Sequence, residues 1–320
     1  MKKRDIVFDL IKLYSMLMVI THHFMVEYLK YESIPLKIVN GKFGVQLFAV
    51  ILGIFAYKSG NKNKEDSLHY AVRRYSYFLI CEFVINSLYY CFNINGSRMR
   101  MSFGYVIGQS LILGDDIFPT IWFAKEFLVG SVLCFLIGKK DFGKKDVLIA
   151  AACLGIISEP FVGTCVMGCL AEMLIDEDRI LFNNRLSCIC VILISLFVRI
   201  ILSKSSLTYF IFGICSTLEI IAIKKSRLFS NIPFQRIISY LGSITMPMLL
   251  IHPCLIGLVN SMNFFQNQII TAAIRYIILL ALVLISSVLL DVVIRVLVKL
   301  ENDVIDFVFD KVSHLILKND

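Results

Sequence analysis

The chain is dominated by long, uninterrupted apolar blocks, at 5–26, 43–59, 70–93, 119–138, 146–158, 160–175, 186–203, 207–223, 236–260 and 268–299. Most approach the ~20 residues that an α-helix needs to cross a bilayer. In hydrocarbon every backbone N–H and C=O must find its partner inside the protein, which favours one helix per block. A transmembrane β-barrel would alternate apolar and polar residues, and these blocks are continuous. Composition agrees: of 320 residues 58% are hydrophobic and 18% charged, where a soluble domain has about half and about a quarter. The expectation is an all-α, polytopic membrane helix bundle of about ten transmembrane helices, forming one domain over 1–320.

Blocks 146–158 and 160–175 are short and meet at Ser158-Glu159-Pro160. They read either as two tilted spans or as a re-entrant pair. The last block exceeds what a bilayer needs and is expected to run on as an amphipathic helix. The stretch 101–113 is too short to span and is expected at the interface. The basic start "MKKRDIVFDL" invites a signal-peptide reading. Asp9 and Lys12 interrupt its apolar core and no A-x-A-like site follows, so a retained first span is expected.

Charge sets the orientation. With the N-terminus inside, Lys and Arg number 22 in cytoplasmic segments and 6 on the other side. That bias places both termini in the cytoplasm of a multi-pass protein of the cell (cytoplasmic) membrane. The same bias explains the net charge of +8 without any nucleic-acid partner. The ten cysteines all lie within or at the ends of apolar blocks and form no C-x-x-C pair. They read as small hydrophobes between helices, with no metal site expected.

Against this apolar background the first block, "FDLIKLYSMLMVITHHF", keeps Asp9, Lys12, His22 and His23. Eleven residues make about three helical turns, so Lys12 and His23 share a face about 16 Å apart along the axis. Asp9 lies three residues before Lys12 and can pair with it. The stripe reads either as the wall of a polar cavity or as a snorkelling lysine with histidines at the far headgroups. Glu82 and Asn86 sit mid-membrane in the third block, where an ionisable group must face the interior. His252 lies between Pro247 and Pro253, which free backbone carbonyls and are expected to kink the ninth span. The imidazole either orients a reacting group or satisfies those carbonyls. Trp122 reads as an interface anchor or an acceptor platform, beside Lys125 and Glu126. Arg199 is expected to snorkel, and Asp291 and Arg295 to form an i,i+4 pair. His69 and His314 are assigned no role.

Several stretches together resemble one family, the membrane acyltransferases of the acyltransferase-3 type. That family carries D-x-x-R, ten residues, then His in its first span; here stand Asp9-Leu-Ile-Lys12, ten residues and His23. "FGVQLFAVILGIF" (43–55) is similar to its second span, with Leu52 in place of Ser. "YAVRRYSYF" (70–78) resembles its basic start to the third span, lacking the further Arg and the Pro. "IWFAKEFLVG" (121–130) is similar to its W-F-L segment. "YLGSITMPMLLIHP" (240–253) resembles its late signature, with Thr245, Met246 and His252 at the Ser, Tyr and His positions.

The resemblance implies transfer of an acyl group, commonly acetyl, from acyl-CoA to a hydroxyl of a cell-envelope saccharide, lipid-linked saccharide or related acceptor, within membrane lipid and with no bound cofactor. It implies His23 as general base, with Asp9 as its catalytic companion in the motif. Lys12, Arg73 and Arg74 would hold the donor's phosphates. Glu82, His252 and Trp122 would support the site. Lysine at position 12 keeps the family's charge but lacks the planar fork of arginine. Two other readings stay open: a transporter or lipid-linked-saccharide flippase, and a degenerate family member without catalysis.

Overall fold

The computed structural model describes residues 5–26, 28–29, 33–62, 67–91, 102–108, 124–140, 142–158, 160–176, 184–202, 206–226, 229, 233–262 and 268–316. Among these, regular structure is helical throughout. Contacts divide the chain into two compact units: Met1–Lys64 with Lys125–Thr245, and Glu65–Ala124 with Met246–Asp320.

The first unit holds α1 (Ile6–Val26), the short α2 (Ile34–Ile38) and α3 (Gly41–Lys62). After an excursion into the second unit it resumes with α6 (Ala124–Lys140), α7 (Lys144–Cys153), α8 (Pro160–Ile175), α9 (Arg185–Ile201), α10 (Ser206–Lys225) and α11 (Gln235–Ser243). Helix α3 is its centre and packs against α1, α8 and α10. Phe8, Met18, Phe43, Leu47, Ile51 and Phe212 form the middle of that packing.

Where α3 crosses α8 the backbones touch. A Cβ on Gly53 would meet the Cys165 carbonyl, and one on Gly168 would lie 2.9 Å from the Gly53 Cα. Small residues allow such an approach, and in lipid the resulting van der Waals contact is a main source of helix association.

The 146–158 and 160–175 blocks form a helical hairpin. Helix α7 ends in a π turn, Leu154–Ser158, and α8 folds back so closely that a Cβ on Gly163 would fall 2.6 Å from the Gly155 Cα. Pro160 opens α8, where its missing N–H has no intrahelical partner to lose. The next N–H, of Phe161, donates to the Glu126 carboxylate of α6 at 3.2 Å. Glu126 therefore covers one of the orphan donors at a helix start.

The second unit contains α4 (Ser67–Cys91), α5 (Phe103–Gly108), nearly all of α12 (Thr245–Asn260) and α13 (Gln268–Ile316). Helix α4 packs on α5 and on α13. At 49 residues, α13 extends about 73 Å at 1.5 Å per residue, more than twice the ~30 Å of a bilayer core. It thus continues beyond the apolar block, as its sequence led us to expect. Asp291 and Arg295 pair on it at 2.8 Å.

The ninth block departs from expectation. Its helix breaks at Ile244, ahead of both prolines, and then runs unbroken through Pro253. Pro247 is the third residue of α12, inside the first turn, where an absent N–H costs nothing.

Among the described residues, four helical stretches are long and apolar enough to cross a membrane: Ile6–Val26, Ile34–Lys62, Leu207–Lys225 and Ile269–Phe309. A fifth is reached if Gln235–Ser243 and Thr245–Asn260 act as one broken span. Of the other blocks, α6 and α9 have 17 residues each and α8 has 16. Helix α4 is long enough, but Arg73, Arg74 and Glu82 dilute its apolar character.

Candidate functional site

Two of the residues singled out in the first span come together as their spacing required. Lys12 Nζ donates to Asp9 Oδ1 at 3.0 Å. Asp9 is nearly fully buried, and its other oxygen accepts from the Ser239 hydroxyl of α11 at 3.1 Å. Helix α11 can lie this close because residue 242 is glycine: a Cβ there would sit 2.5 Å from that of Asp9. The Leu241-Gly242 portion of the late signature thus packs on the Asp9 motif of α1. A carboxylate so enclosed needs its hydrogen bonds, since an unpaired buried charge is costly. Ser239, one residue before the quoted signature, escaped the sequence reading because nothing local marks it.

The adjacent histidines have different surroundings. His22 is buried, its Nδ1 2.9 Å from the Val39 carbonyl just after α2. A carbonyl only accepts, so Nδ1–H donates and this ring is fixed as a structural tie. Gly41 leaves room for it, with the ring 3.1–3.2 Å from where a Cβ would be. His23, one residue on, is exposed. Its ring centroid lies 6.0 Å from that of His22.

Around the N-terminal end of α1, three lysines from three helices converge on one pair of phenyl rings. Phe8 and Phe55 meet edge to face with centroids 5.3 Å apart. Lys12 lies over Phe55 at 5.4 Å, while Lys58 of α3 and Lys224 of α10 lie over Phe8 at 5.5 and 4.9 Å. Each ammonium also has a carboxylate: Asp9 for Lys12, Glu172 for Lys58 at 2.8 Å, and Asp5 for Lys224. In the sequence, Lys58 and Lys224 had counted only as part of the charge bias.

Arg199 does not snorkel. It is 3% exposed, lies 4.1 Å over the Phe43 ring and pairs with buried Glu219 of α10 at 3.7 Å. One turn before it, the Ser195 carbonyl accepts from its Nε at 3.4 Å. The guanidinium is thereby offered a π face and a counter-charge inside the bundle, and both outweigh the reach to water. Nearby in the same unit, fully buried Gln46 donates to the Tyr209 carbonyl at 3.1 Å, and Lys42 bonds the Tyr209 hydroxyl.

The remaining candidates belong to the second unit. Arg73 grips both oxygens of Asp306 on α13, at 2.6 and 2.8 Å. His69 Nε2 lies 2.9 Å from the same carboxylate and its ring stacks on Phe309. Arg74 reaches the Tyr70 hydroxyl at 3.1 Å. Glu82 and Asn86 are fully buried.

His252 is buried, and its Nδ1 lies 2.8 Å from the Leu249 carbonyl. That carbonyl is four residues before Pro253, so it is the acceptor the proline nitrogen cannot serve. Of the two readings of His252, satisfying a freed carbonyl is thus carried out by Nδ1. Trp122 lies outside the described residues. Among the described residues no three His, Cys, Asp or Glu side chains gather in a way that could hold a metal ion.

Residues 5–292 match the sequence model of one family, described as an acyltransferase domain. Comparison with curated proteins returns no match. Comparison with solved structures returns none either.

Proposed function

Because the chain belongs to the acyltransferase-3 family and is a membrane acyltransferase, we propose that it moves an acyl group, acetyl first, from acyl-CoA to a hydroxyl of a cell-envelope saccharide or lipid-linked acceptor. The observation that carries this reading is the organisation of α1. A buried Asp9 holds Lys12 at one level, and an exposed imidazole, His23, stands three turns on.

A sugar hydroxyl is a weak nucleophile at neutral pH. In the proposed step an imidazole nitrogen of His23 takes the hydroxyl proton as the oxygen attacks the thioester carbonyl. The tetrahedral adduct collapses, the C–S bond breaks, and the departing sulfur receives that proton. General-base help of this kind contributes about 10²- to 10⁴-fold. Adjacent His22 is the poorer candidate, since its ring is buried.

About 16 Å of helix rise separates Lys12 from His23. That separation suits a donor whose phosphates and thioester lie at opposite ends of an extended arm. In the first unit Lys12 is assigned to the phosphates; in the second, Arg73 is held by Asp306 and Arg74 by Tyr70.

Membranes carrying the wild-type chain should transfer label from acetyl-CoA to a lipid or saccharide fraction, and His23→Ala should lower that transfer at least a hundredfold. Equal labelling by the two would remove His23 from the reaction. A flippase is the second reading, favoured by the helix break at Ile244, since broken helices line transport paths. Purified wild-type chain that retains coenzyme A decides for the transferase.

A further inference from the structure

Arg73 is engaged with Asp306 and Arg74 with Tyr70, and a second group of cations stands in the other unit of the chain. We propose that Lys12, Lys58 and Lys224, gathered on the Phe8–Phe55 pair at the N-terminal end of α1, form a seat for the phosphates of an anionic ligand. For the identity of that ligand the inference rests on the acyl-CoA reading above.

Three features of the site support a ligand role beyond that of structural ion pairs. The lysines come from α1, α3 and α10, so the chain has brought three like charges from distant segments to one place. Their arrangement is also layered. Glu172 and Asp9 side chains are 4% and 2% exposed, whereas Lys12, Lys58 and Lys224 are 17%, 32% and 20% exposed. In these two pairs the acid therefore lies deeper than its lysine. Each ammonium has three N–H donors, and a single carboxylate leaves donors for a further acceptor.

The third feature is Glu172. Its Oε1 meets Lys58, its Oε2 is buried without a hydrogen-bond partner, and Lys224 acts on it electrostatically as well. This buried carboxylate pairs with Lys58 and holds it in place before any ligand arrives, with Lys224 near enough to feel its charge. The pair outside the layer, Lys224 with the more exposed Asp5, is half-buried and has the most accessible carboxylate of the three. Phe55, itself 39% exposed beside Lys12, offers a flat apolar face next to the cations.

The phosphate can come from the nucleotide end of the donor or from an anionic phospholipid headgroup, and the experiment separates them. The full chain is placed in nanodiscs of phosphatidylcholine alone, or with phosphatidylglycerol. Two probes are used: adenosine 3′,5′-bisphosphate by equilibrium binding, and phosphatidylglycerol retained in native mass spectrometry. Lys224→Gln is compared with the double variant Lys58→Gln/Glu172→Gln, which removes the cation without stranding a buried carboxylate; Lys58→Arg is the charge-retaining control.

If the donor supplies the phosphate, the bisphosphate binds wild type in phosphatidylcholine discs and weakens with added salt. Each neutralising variant then weakens it about tenfold, and Lys58→Arg does not. If the lipid supplies it, the bisphosphate fails to bind, and the variants lose the retained phosphatidylglycerol instead. Wild type that binds neither probe, or variants that hold both as well as wild type does, overturns the seat. Intact acetyl-CoA provides the separate check on the reaction. Its equal binding by wild type and variants leaves the transferase reading standing while the seat falls. Its failure to bind wild type removes the donor reading and leaves the lipid arm to decide the seat.

Discussion

A guanidinium one turn from a helix end can reach for water or fold back into the protein, and Arg199 folds back because Glu219 and the Phe43 ring await it. The pair is enclosed, so its members depend on each other. Arg199→Leu should cost about 3–5 kcal/mol by leaving Glu219 uncompensated. Arg199→Leu/Glu219→Leu should recover much of that loss. Thermal unfolding of the purified variants in one detergent gives the cycle; a double variant no more stable than the single one would mean the pair is not coupled. The residue scale also shows what local spacing can and cannot reveal. Asp9 and Lys12 are neighbours through one helical turn, so their bond was legible. Ser239 and Gly242 complete the same site from some 230 positions away, and no periodicity links them to it. His22 and His23 look alike in the sequence, yet a rotation of about 100° makes one a buried tie and leaves the other exposed.

At the scale of the element, α12 shows how a helix keeps an internal proline. Pro253 cannot serve the Leu249 carbonyl, and His252 supplies the missing donor. His252→Ala should therefore lower stability by about 1–3 kcal/mol, the cost of a buried acceptor left unpaired. His252→Ala/Pro253→Ala should restore it, because the alanine that replaces the proline again carries an N–H. Circular dichroism and thermal unfolding read both. If the double variant regains stability yet acyl transfer stays lost, His252 has a role in the reaction beyond this one. The same reasoning explains why the helix is not interrupted at either proline: one falls in the first turn of α12, and the other is compensated. The contact of α4 with the far part of α13 was hidden for a different cause. Asp306 lies beyond residue 292, where the family match ends, and nothing near it in the chain indicates that Arg73 and His69 are its partners.

For the whole molecule, the loops determine what the helices cannot. The Lys and Arg bias expects both termini in the cytoplasm. A fluorescent protein fused after residue 320 should therefore fluoresce, and an alkaline phosphatase fused there should be inactive. The opposite pair of results would invert the topology and with it the side on which the lysine seat meets its ligand. Helical class, membrane residence and family were all determined by the sequence alone, because each depends on local sums: blocks of apolar residues, backbone groups that must bond within their own segment, and motifs held a fixed distance apart. The pairings inside the bundle were decided only by tertiary structure. Asp9 with Ser239, Arg199 with Glu219, Arg73 with Asp306 and three lysines on one phenyl pair each join segments far apart in the chain. In hydrocarbon a buried charge takes whichever partner the packed helices bring within reach, and that partner is fixed by which faces meet.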